Sequence, residues 1–411
     1  MAYQNVGKCR IFVDYFQYAN AIGLIGYWNN TDTRFSPQNA SIFMNPLSPS
    51  TCSQFPVNSS TQYYTFDFSS PIWGMNYYGM LGHNLGGVPM TVTYSYSGVN
   101  VAGNDIWLSN GTEEIINAQI NTPASSSTRN ITPVYNGFSL WKFNEIVADD
   151  AYATLVNPGT DANPVPDGTM QDVQLRDVFG YQSSITFPPP IEGTDGVYTL
   201  GYSPTCGRIY EFEHAPDMKL TMERQFDGVK RQKTVGGADI SNTTYLGPPN
   251  WSLSGNPWTL TEANPGFIPE PIAGARMGRR IWKLKFSMMS DRVSSSSTSG
   301  GIMPLNEMAT PYGVDTSTGA GYTQNTEDVD GEWESDGTQD VFKSDFWSDD
   351  SFIGLVYGKT MGFTLPIIFQ SDSNDNSPQN FAICKIDNKS LKITQTSLKK
   401  YDIQLTIREV W

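Results

Sequence analysis

The chain has 411 residues, 38% hydrophobic and 16% charged, a globular composition long enough for roughly two or three domains of ~150 residues each. Its 26 basic and 41 acidic side chains leave a net charge of −15, which argues against the clustered cations that general nucleic-acid affinity requires. No run approaches the ~18 apolar residues that span a bilayer, and the apolar start at 11–13 is cut off by Asp14, so a soluble chain without membrane insertion or signal peptide is expected.

Cys9, Cys52, Cys206 and Cys384 are scattered singly, and His83 and His214 are the two imidazoles. A zinc site has almost no material in that set, so four buried free thiols and no bound metal are expected. Aromatic residues reach 13%, beside 37 Gly, 26 Pro and 75 Ser plus Thr. That mixture describes short strands joined by turns.

From the N-terminus, 10–13 reads as a strand and 14–22 as a helix, with Tyr15, Tyr18 and Ile22 on one side and Gly23 as a stop. At 90–96, Met90, Val92, Tyr94 and Tyr96 alternate with Thr91, Thr93 and Ser95, the period of a strand with one core face and one wet face. Met218, Leu220 and Met222 repeat this briefly. The proline-rich passage 248–271 reads as irregular chain, and the main boundary falls near residue 275. Beyond it, 281–288 points Trp282, Leu284, Phe286 and Met288 inward and Lys283, Lys285 and Ser287 outward, after the cations Arg276, Arg279 and Arg280.

Residues 291–301 predict a flexible loop, and 327–350, with ten acidic residues against Lys343 alone, a solvated acidic loop. Asp345, Asp349 and Asp350 ahead of Phe352, Ile353, Val356 and Tyr357 predict a helix closed by Gly358 and Lys359. It leads to a strand at 363–369, whose Pro366 implies an edge or a bulge. Leu391 and Ile393 give a short strand signal. Last, 401–407 sets Tyr401, Ile403, Leu405 and Ile407 against Asp402, Gln404 and Thr406, and a strand this regular is expected to be tied into a sheet.

Motifs that would carry chemistry fail on spacing. The run 354–360 lacks one residue of the GxxxxGK phosphate loop, and 372–377 has Ser377 where a calcium loop needs Gly, with Ile383 where it needs Glu. An ordinary polar turn is expected there. No GxSxG elbow occurs, and neither histidine has a local catalytic signature, so neither catalysis nor a cofactor is expected. His83 and Asn84, between an apolar stretch and Gly86-Gly87, read as a structural pair that pins a loop through side-chain to backbone hydrogen bonds.

The segment 78–87 (YGMLGHNLGG), followed by an alternating strand, resembles the corresponding segment of tail proteins of tailed bacteriophages. Further stretches are similar to the same group: Gly207-Arg208-Ile209 with His214-Ala215-Pro216-Asp217-Met218, then 226–230, and finally 278–286, 359–369 and 404–411. The resemblance implies a galactose-binding-type β-sandwich and a role in the virion. The expected fold is mainly β, with a strand–helix arm at 1–27, a β-sandwich (jelly-roll-like) region at 28–275 and a smaller α+β domain at 276–411. The expected function is that of a virion structural protein, a tail-tip, baseplate or fibre-associated component that assembles with other virion proteins and with itself. The alternative is a carbohydrate-binding module for a host-surface glycan, with Trp73, Tyr77 and Tyr78 as stacking residues.

Overall fold

The computed structural model describes residues 7–23, 25–30, 52–55, 62–73, 77–83, 85–97, 114–116, 118–122, 128–134, 137–142, 179–187, 198–201, 205–225, 231–241, 279–290, 351–377, 380–398 and 400–410. The chain is mainly β. Its first half contributes β1 (Arg10–Asp14), helix α1 (Tyr15–Ile22), β2 (Ile25–Asn30), β3 (Cys52–Phe55), β4 (Gln62–Trp73), β5 (Tyr77–His83), β6 (Met90–Ser97), β7 (Glu114–Ile116), β8 (Ala118–Thr122), β9 (Thr128–Pro133), β10 (Gly137–Lys142) and β11 (Phe179–Phe187). There follow β12 (Tyr198–Gly201), β13 (Thr205–Glu211), β14 (Thr221–Gln225), β15 (Arg231–Lys233), β16 (Asp239–Ser241), β17 (Arg279–Ser290), a π-helix at Phe352–Gly358, β18 (Ile367–Gln370), β19 (Phe381–Ile386), β20 (Ile393–Ser397) and β21 (Lys400–Glu409).

Eleven strands form one antiparallel sheet in the order β14-β17-β21-β19-β18-β1-β13-β5-β10-β7, with β20 added to β21. A second sheet of six strands runs β2-β4-β11-β6-β9-β8. The large sheet takes strands from all three segments of the sequence-based division: β1 lies between β13 and β18, pairing Phe12 with both Ile209 and Ile368.

Burial follows position in this sheet. All five residues of β1 are buried, as befits a strand covered on both faces. Phe12 meets Tyr77 edge-on at 5.2 Å between centroids, while on the other face Tyr210 and Phe212 pack against Phe352 of the π-helix. Towards the β14 end the sheet becomes one-sided. Trp282, Leu284 and Phe286 of β17 and Tyr401, Ile403, Leu405 and Ile407 of β21 are buried, whereas Lys283 and Gln404 between them are exposed. Each aliphatic side chain so buried contributes about 1.5–3 kcal/mol.

Several expectations shift by a residue or two, for identifiable reasons. Met288 is 50% exposed and Met289 is buried in its place, because Phe286 pairs with Ile403 and Met289 with Tyr401, so two residues of β17 oppose Asp402 alone. This bulge, with Met288 at φ 62°, reverses the alternation. Helix α1 stops as expected, Gly23 closing it at φ 78°, but starts one residue later, at Tyr15, because Asp14 ends β1 and serves as the N-cap; Ile22 is exposed while Phe16 and Ala19 are buried with Tyr15 and Tyr18. The strand foreseen at 363–369 is confined to Ile367–Gln370, since Met361, Gly362 and Phe363 all have positive φ. Pro366 thus precedes the strand, where its missing N–H breaks no ladder bond, and β18 is interior. The helix expected up to Gly358 is a π-helix with Ser351 as N-cap and Lys359 as C-cap. Met218, Leu220 and Met222 do not form a half-buried strand, as β14 begins at Thr221 and all five of its residues are exposed. The passages 248–271, 291–301 and 327–350 lie outside the described residues.

Candidate functional site

Of the residues singled out in the sequence, Tyr77, Tyr78 and His83 lie on β5, where it pairs with β10 and β13 towards one end of the large sheet, while Trp73 ends β4 of the six-stranded sheet. Tyr77 and Tyr78 are both fully buried. The Tyr77 ring packs on Phe12 and its hydroxyl meets Thr205 Oγ1 at 3.1 Å, while Tyr78 packs on Trp141 at 5.0 Å between centroids. Neither ring offers a face to solvent, so sugar stacking has no surface to use at these two positions. The side chain of Trp73 and all of Asn84 lie outside the described residues.

His83 is buried, and its ring closes a local turn. The Leu85 amide donates to Nδ1 at 3.3 Å and Nε2 lies 3.0 Å from Ser139 Oγ. An Nδ1 that accepts an amide N–H leaves the ring proton on Nε2, which then donates to the serine. Burial pulls the imidazole down to about 3, against a raising contribution from the Phe138 backbone, so it is neutral and ties β5 to β10 and to the following turn.

A second buried polar group was not singled out in the sequence. Asp14 ends β1 and caps α1, its Oδ1 accepting the Gln17 amide at 3.0 Å. Beneath it lie Thr205 and Cys206 of β13, and Gly207 pairs with it in register. A Cβ at Gly207 would fall 2.1 Å from the Val13 carbonyl oxygen, so only glycine lets β13 approach this closely. Burial raises the Asp14 carboxyl to about 7, partly offset by hydrogen bonds from Gln17, Thr205 and Phe16. Burial, then the Asp14 charge, pushes the Tyr77 phenol well up. The thiols of Cys9, Cys206 and Cys384 are free and buried, with Cys9 raised by burial to about 12 and the others well above their ordinary value. They are held protonated and inert. The side chain of Cys52 lies outside the described residues. A carboxyl, a hydroxyl and a phenol are thus enclosed together where β1 passes into α1.

The solvent side of the sheet is different in kind. At the β17 bulge, Asp217 accepts Ser287 Oγ at 2.6 Å, Asp402 accepts the Met288 amide at 3.0 Å, and Glu213 accepts the Ser290 amide at 2.8 Å. Lys285 lies 3.0 Å from Asp402, whose hydrogen bond raises the lysine. The same three carboxylates accept the Ser287, Met288 and Ser290 amides, so backbone N–H groups of β17 at and beside the bulge find side-chain acceptors. Next to this lattice lies β14, paired among the described residues with β17 alone. Met222 on it is 51% exposed and Met218, just before it, 90%. A strand at a sheet end offers a row of backbone donors and acceptors that another chain can extend.

The 372–377 run is a polar turn: the Asp372 carboxylate accepts the Asn374 amide at 2.9 Å and Asp375 accepts the Ser377 amide at 2.8 Å. Among the described residues no three His, Cys, Asp or Glu side chains are grouped so as to hold a metal ion, and no helix is long and apolar enough to cross a membrane. Compared with known proteins, the chain matches no family model, no curated protein and no solved structure.

Proposed function

We propose that this chain is a non-catalytic structural component of a virion, a tail-tip, baseplate or fibre-associated part that works through protein–protein contacts with other virion proteins and with its own copies. The observation that supports it best is the end of the large sheet: β14 is exposed along its whole length, Met222 included, and the exposed Met218 lies just before it, a surface suited to strand addition. The resemblance of 78–87, 207–218 and 278–286 to phage tail proteins directs the reading to a virion, and the −15 charge discourages contact with nucleic acid. The jelly-roll-like sandwich of 28–275 and the α+β character of 276–411 belong to the same proposal. Tyr77 and Tyr78, two of the three stacking candidates of the carbohydrate alternative, are buried and offer no face to a sugar.

Mass spectrometry and immunogold labelling of purified particles test the proposal. The polypeptide is expected in stoichiometric, symmetric copies. Its absence from particles, together with substrate turnover in extracts, would overturn the structural reading.

A further inference from the structure

The hairpin of β15 and β16 has an unusual balance of order and burial. Lys233 pairs with Asp239 and Arg231 with Ser241. Its turn is closed by the Thr234 amide on the Ala238 carbonyl at 2.8 Å, the Ala238 amide on Thr234 Oγ1 at 3.0 Å and the Gly237 amide on the Thr234 carbonyl at 2.9 Å. Gly237 has φ 86°, which its lack of a side chain permits. Yet every residue from Arg231 to Ser241 is exposed, including Val235 and Ile240, and among the described residues the two strands pair with each other alone. A lone two-stranded hairpin is marginal in water and needs a further strand or a packing surface to persist.

Charge indicates which surface. The register sets Arg231 and Lys233 on one face with Asp239 and Ser241, and Gln232 with Ile240 on the other. Two cations against one carboxylate make the first face locally basic on a chain whose net charge is −15, so a second copy, negative as a whole, is attracted to it. Contact between this face and a different, acidic part of a second copy is heterologous, the kind that builds rings or filaments.

We infer that the hairpin 231–241 is a docking arm that inserts into a second copy of this chain, which meets Arg231 and Lys233 on the basic face, Ile240 on the opposite face and Val235 at the turn between them. The inference rests on the assembly reading above and specifies one of its contacts. Because every residue of the arm is exposed and its strands pair, among the described residues, with each other alone, altering it is expected to leave the fold intact.

The test is sedimentation of the full chain from about 1 to 100 µM, in roughly 50 mM and then 500 mM salt. Wild type is expected to self-associate, more weakly at high salt. Arg231→Glu with Lys233→Glu, and separately Val235→Ser with Ile240→Ser, should each weaken association at least ~10-fold with unchanged thermal melting. Lys389→Glu with Lys392→Glu, which makes the same charge change at exposed positions elsewhere, should leave it unaltered. Association that persists in both hairpin variants overturns the inference and leaves the assembly reading standing. A wild type that stays monomeric throughout overturns it as well, while particle composition continues to decide the assembly reading independently.

Discussion

Arg280 and Glu409 form a buried ion pair that holds three strands together. The guanidinium of Arg280, on β17, reaches Glu409 Oε2 through Nε at 3.2 Å and Oε1 through an Nη at 3.1 Å. The Arg280 amide also donates to Glu409 at 2.9 Å, and Nη2 donates to the Phe381 carbonyl of β19 at 2.8 Å. Glu409 belongs to β21, which lies between the other two strands. With side chains 7% and 1% exposed, both charges depend on each other for the solvation that burial has removed.

Replacing one partner should therefore cost far more than replacing both. Glu409→Leu strands the Arg280 cation and should lose about 3–5 kcal/mol in denaturant unfolding, whereas Arg280→Met with Glu409→Leu should recover most of that loss. A double variant no more stable than the single one would show that the pair is not the unit.

Removal of residues 401–411 should abolish cooperative folding of the sheet end formed by β17, β19, β20 and β21. It deletes the buried Tyr401, Ile403, Leu405 and Ile407, the aliphatic ones worth about 1.5–3 kcal/mol each, and takes the ladder partner of β17, β19 and β20 at once. Unchanged thermal melting of the truncated chain would contradict this.

Asp14 should make the fold less stable as pH rises. Its carboxyl titrates near 7 in the folded chain against an ordinary 3.8, so the folded state holds an extra proton between those values. Stability from this group is complete below about pH 4, declines by at most ~1.4 kcal/mol per pH unit, and has been lost above about pH 7. Asp14→Asn keeps an N-cap side chain, and should remove that decline and be the more stable form at pH 8. Chemical denaturation of both proteins between pH 4 and 8 checks it.

His83 should act in the opposite sense. Its imidazole titrates near 3 when folded against 6.5 ordinarily, so its contribution is complete above about pH 6.5 and is lost as pH falls towards 3. Between about pH 4 and 6.5 the two slopes oppose each other. His83→Gln should then uncover a decline of stability with rising pH across that window, and Asp14→Asn a rise; parallel profiles for the two variants would exclude this assignment.

Local pattern determined a good deal of this protein. Period two located β17 and β21 and the buried face of each, because alternation alone sets which side chains share a side of a strand. Gly23 marked the end of α1 because a C-cap is a matter of adjacent residues. What alternation leaves open is which strand lies beside which. The placement of β1 between β13 and β18, some 200 and 350 residues away in sequence, is decided by tertiary packing, and it is this that buries Asp14 and Tyr77, residues whose types are equally at home at a surface. The same holds for Met288, which the pattern places inside and the bulge opposite Asp402 turns out. Arg280 and Glu409 each read as ordinary surface charges until β17 and β21 are paired. A charge can be buried only where the fold supplies its counter-charge, and that juxtaposition exists only in three dimensions.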